Sequence, residues 1–126
     1  AELASKRATD EEIDELFEII ERFKKYDIVK DYKKCIEDDQ KFHSIVRNAS
    51  KNLILIDMLE ELNVKTARFL QSIHYVLDDY DWFNSSLIEM ATAIKDRNRE
   101  EARKSTEDHT LKFLEQLSKN FFNNMY

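Results

Sequence analysis

Thr9-Asp10-Glu11-Glu12-Ile13-Asp14-Glu15-Leu16-Phe17-Glu18-Ile19-Ile20-Glu21-Arg22-Phe23-Lys24-Lys25-Tyr26 repeats its apolar residues in steps of three and four, which sets Ile13, Leu16, Phe17, Ile20 and Phe23 on one side of a helix. Thr9 or Asp10 can cap that helix, and Glu11 and Glu12 suit the positive end of its dipole. The same period extends in both directions. A short helical tail, Ala1 to Lys6, precedes it. A third helix is predicted from about Ile28 to Asn48, with Tyr32, Cys35, Ile36, Phe42 and Val46 as its stripe, and the polar run Asn48-Ala49-Ser50-Lys51-Asn52 ends it. A fourth, from about Leu53 to Leu77, carries apolar residues on several faces and reads as the central, most enclosed helix.

Asp78-Asp79-Tyr80-Asp81-Trp82-Phe83 reads as an acidic and aromatic connection, with Asn84, Ser85 and Ser86 as capping candidates for a short fifth helix marked by Leu87, Ala91 and Ile94. A sixth begins near Glu100 and aligns Ala102, Thr106, Phe113, Leu117 and Phe121. The chain has 126 residues, no Gly and no Pro, so hairpin turns lack their usual residues. With 42% hydrophobic and 37% charged residues it suits one folded domain, an all-α antiparallel bundle of about six helices.

Twenty Lys and Arg stand against 26 Asp and Glu, a net charge of −6 that disfavours a DNA-gripping surface. The single Cys35 allows no disulfide framework or thiolate zinc cluster, and a reducing, cytoplasmic setting is expected. Cys35 itself reads as a packed small hydrophobe. No stretch approaches the length of a membrane span. Glycine-dependent phosphate loops and nucleophile elbows are excluded, and the residues three before His43, His74 and His109 are not Glu, which excludes a di-iron carboxylate bundle.

Three polar residues interrupt the apolar stripes. Asp39 lies one turn after Cys35, His43 follows it at i+4, and His109 falls between Thr106 and Phe113. Asp39, His43 and His109 can therefore meet in the bundle interior. One carboxylate and two imidazoles form a plausible shell for Zn²⁺, Ni²⁺ or Mn²⁺. Two alternatives stay open: a mutually satisfied polar network, or residues facing solvent. His74 falls off the main stripe of its helix and is assigned to the surface or its boundary.

Several runs in order, Leu3-Ala4-Ser5-Lys6-Arg7-Ala8-Thr9-Asp10-Glu11-Glu12-Ile13, Asp39-Gln40-Lys41-Phe42-His43, Asn48-Ala49-Ser50-Lys51-Asn52, Ala93-Ile94-Lys95-Asp96 with Ala102, and His109, resemble the FCD domain. That is the effector-binding and dimerisation domain of FadR-branch GntR-type bacterial transcription regulators. The resemblance implies a bundle enclosing a ligand cavity, often with a metal held by one Asp and three His. Asp39, His43 and His109 match three ligands, whereas Leu87 stands where the remaining His is usual, after Ser86 in place of an acid. Lys51 and Leu53 replace a common Gly and Pro. The resemblance further implies a small carboxylate effector, a homodimer, no catalysis, no membrane association, and DNA binding through a winged-helix domain that would precede Ala1. Arg68 is the expected cation for the effector carboxylate, and Leu87 an effector-pocket residue. The alternative function is a structural or protein-interaction bundle without metal or effector.

Overall fold

The computed structural model describes residues 1–72 and 80–125, with side chains as far as residue 119. Six helices follow one another: α1 (Glu2–Arg7), α2 (Asp10–Lys25), α3 (Tyr32–Ala49), α4 (Leu53–Ser72), α5 (Tyr80–Lys95) and α6 (Arg99–Met125). Among the described residues there is no strand, as expected. α2 starts on a capping box: the Thr9 hydroxyl accepts the Glu12 backbone N–H at 3.1 Å, and the Glu12 carboxylate accepts the Thr9 N–H at 2.9 Å. α3 starts four residues later than predicted. Asp27 accepts the backbone N–H groups of Val29 and Lys30 on its side chain, a local turn that competes with helix.

α2 lies between α3 and α5, and α6 packs along α5. Short α1 crosses one end of the bundle and touches α3, α5 and α6. Leu16, Ile19, Ile20 and Phe23 of α2, Phe42 of α3, and Leu87, Met90 and Ile94 of α5 form the core. Phe23 anchors the far end: Phe83 meets it edge-on at 5.5 Å between ring centroids, and the Tyr80 hydroxyl donates to its carbonyl at 2.5 Å.

Two expectations change. Tyr80, Asp81, Trp82 and Phe83 belong to α5 instead of a connection, because Tyr80 and Phe83 gain partners on Phe23 and Asp81 favours the helix start. Asn84, Ser85 and Ser86 are consequently mid-helix. Asp78, Asp79 and His74 lie outside the described residues, as does the Phe121 side chain. The second correction concerns α4, which has no buried residue and packs only against α3 among the described residues. Apolar residues on several faces read as enclosure, but among the described residues only α3 packs on this helix.

The α3–α4 corner explains one departure from the family pattern. Lys51 takes a left-handed backbone (φ 54°), the conformation that glycine adopts most readily. Its ammonium nonetheless reaches the Glu12 carboxylate at 2.7 Å, which ties the corner to the start of α2.

Candidate functional site

The residues that meet between α3, α5 and α6 are few. Asp39 and His43 share one edge of α3 at i,i+4, and His43 Nε2 lies 3.0 Å from Asp39 Oδ1. Across the gap, the His43 and His109 rings stand 5.5 Å apart between centroids. The backbones of α3 and α6 do not come close among the described residues, so these rings span the gap between the two helices. From α5, Trp82 stacks on His109 at 5.4 Å and 17° between planes, and Ser86 Oγ lies 2.6 Å from His109 Nδ1. The three expected residues are thus together, with about a third of the Asp39 and His43 side chains exposed.

The electrostatics favour a neutral His109. Burial first, then the neighbouring His43, pulls its imidazole down to about 4, although Asp39 acts in the opposite direction. A neutral ring with Nδ1 engaged by Ser86 has its orientation fixed by that bond. Asp39 Oδ1, despite its closeness to His43, is buried without a hydrogen-bond donor in line. One turn beyond His43, Arg47 Nε is also buried without a hydrogen-bond partner. The edge of α3 therefore carries Asp39, His43 and Arg47 in successive turns.

Arg68 and Leu87 are placed differently. Arg68 is exposed on α4, and the structure does not bring it to the histidines. Leu87 is fully buried in the hydrophobic core, and it is Ser86, one residue earlier, that meets His109. Consecutive helical residues point about 100° apart, so only one of the two can address the cleft. Arg47 was legible in the sequence as the i+4 successor of His43. Ser86 was not, because its segment was read as a helix cap.

Asp38 was also overlooked, and it is the acid that is buried in α3. Arg22 grips both of its oxygens at 2.8 and 2.9 Å, and the Tyr26 hydroxyl donates to Oδ2 at 2.6 Å. The Arg22 hydrogen bonds hold the Asp38 carboxyl below the usual carboxylate range. Its spacing, seven before Ile45 and eleven before Ala49, aligns it with the buried side of α3. Cys35 is buried as expected, and burial pushes its thiol up.

For a metal, the donor types at Asp39, His43 and His109 suit a divalent transition ion, and the donorless Asp39 oxygen is an open acceptor. Among the described residues, no three His, Cys, Asp or Glu side chains are gathered around one point. The surface depression that is described runs along α2, open to solvent and lined by Asp14, Phe17, Glu18, Glu21 and Arg22.

An all-helical bundle in which a carboxylate and two imidazoles adjoin between three helices belongs to the class of all-α bundle domains. Within that class the family is specific: the FCD domain model matches residues 1–112, and the chain belongs to the FCD family, the C-terminal domain of GntR-type regulators. FCD is a regulatory domain of transcription factors, not an enzyme family. Comparison with curated proteins and with solved structures gives no match. Among the described residues no helix is long and apolar enough to cross a membrane.

Proposed function

We propose that this domain senses a small organic acid in the α3–α6 cleft and, as part of a cytoplasmic GntR-type homodimer, controls DNA binding by a preceding winged-helix domain. Family membership supports the effector-binding role. The observation that carries the acid is the row Asp39, His43 and Arg47 opposite His109, in which a buried guanidinium nitrogen has no partner. A carboxylate placed there satisfies Arg47 and accepts from the imidazoles. A divalent Zn, Ni or Mn ion would require Asp39, His43 and His109 to turn toward one point and would then supply a Lewis-acidic point for the same carboxylate, while Leu87 occupies the sequence position of a fourth ligand. Arg68 reaches the acid only if α4 turns inward.

Thermal unfolding against a panel of mono-, di- and tricarboxylates, each with and without those metals, tests this reading. Binding at a hundredfold excess over Kd contributes about 2.7 kcal/mol, a shift of several degrees. Arg47→Ala and His109→Ala should abolish the shift, and Arg68→Ala should leave it. If no acid or metal moves the midpoint, the exposed face of α4 favours the second reading, a protein-interaction bundle.

A further inference from the structure

Hydroxyls on these helices commonly donate to their own backbone. Thr66, Ser72, Ser105, Thr106 and Thr110 each donate to a carbonyl three or four residues earlier. Ser86, only 6% exposed in the middle of α5, is bonded differently. Its Oγ lies 2.6 Å from His109 Nδ1, and among the described residues it has no second partner. The Trp82 stack, at 17° between planes, holds the imidazole plane in place for this bond.

A bond between a hydroxyl and a neutral imidazole nitrogen contains one hydrogen, so two arrangements share this geometry. In one, Nδ1–H donates to Ser86, and the hydroxyl hydrogen of a buried serine is left without an acceptor, which is costly. In the other, the hydroxyl donates to Nδ1, and Nε2 on the far side of the ring carries the hydrogen. The Asp39 carboxylate acts on this ring from α3, and its buried Oδ1 has no donor, so it favours a hydrogen on the side turned away from α5. Among the described residues no group bonds Nε2, which leaves it open to an acceptor from outside the chain.

We infer that Ser86 is a positioning residue for acid recognition: its hydroxyl donates to Nδ1, fixes His109 as the Nε2–H tautomer, and makes that imidazole a hydrogen-bond donor to the effector carboxylate. The inference rests on the acid site proposed above and names the hydrogen that the acid accepts. Metal ligation through Nε2 would need the other tautomer.

Long-range proton–nitrogen correlation spectra of the isotope-labelled chain, recorded near neutral pH with neither acid nor metal, read the tautomer directly, and His109→Gln assigns its signals. The wild type should show Nδ1 in the unprotonated range and Nε2 in the protonated one. Ser86→Ala should move both His109 nitrogens toward a common average, whereas Ser86→Thr, which keeps the hydroxyl, should retain the wild-type pattern. In the carboxylate panel, the acid that stabilises the wild type most should bind Ser86→Ala about fivefold more weakly, the loss of one aligned hydrogen bond, with far-UV circular dichroism unchanged. A panel without any shift removes the acid site while the spectra still decide the tautomer, so the two failures are distinct. An Nδ1–H tautomer in the wild type, an alanine variant with the wild-type pattern, or an unchanged acid affinity overturns the inference.

Discussion

Asp38 and Asp39 are neighbours with opposite fates. Asp38 is enclosed by Arg22 and Tyr26, whereas Asp39 faces the cleft with an oxygen that no donor reaches. Replacing Asp38 by Asn should destabilise the domain by about 2 kcal/mol, because a charged acceptor of three hydrogen bonds is lost. The dependence on pH has a definite sign. The folded-state pKa lies below the unfolded value of about 3.9, so the contribution is complete above that value and disappears as pH falls through the folded one. Urea titrations from pH 7 downward should show the wild type approaching Asp38→Asn in acid; a constant gap between them would contradict this. At Lys51, the left-handed backbone and the Glu12 ion pair can be separated. Lys51→Ala and Lys51→Gly both lose the pair, but only glycine relieves the backbone, so the alanine variant should be the less stable by about 1 kcal/mol.

At the scale of elements, the helices that bury one stripe were legible in the sequence and those that do not were not. α2 has a cap, an acidic first turn and one apolar side, and it lies where its period predicts. α4 is apolar on several sides, and hydropathy alone does not tell an enclosed helix from an exposed one. The start of α5 was concealed for a related reason. Tyr80, Trp82 and Phe83 join acidic residues in a run that reads as a loop, and contacts with Phe23 and His109, distant in sequence, make it helical. Asp39, His43 and His109 were found because helical spacing alone brings them to inner edges; the same spacing extends to Arg47, whereas Ser86 needed the packing of α5 on α6. Amide hydrogen exchange should separate these elements: α4, with no buried residue, should exchange faster than α2, and equal protection would contradict this.

For the whole molecule, the arrangement of α1 is the feature with the widest reach. Arg97, in the α5–α6 turn, donates to the carbonyl of Ala8 at 2.7 Å and of Ser5 at 3.4 Å. Arg7 donates to the Ser50 carbonyl at the end of α3, and Arg99 of α6 pairs with Glu2 at 2.6 Å. Arg97→Ala should therefore lower the melting temperature, an effect readable by calorimetry, through two orphaned carbonyls near the end of α1. The same clasps make α1 a crossbar pinned at both ends to the two walls of the cleft. A change in the spacing of those helices would therefore tilt the crossbar, since the six residues of α1 are tied to both.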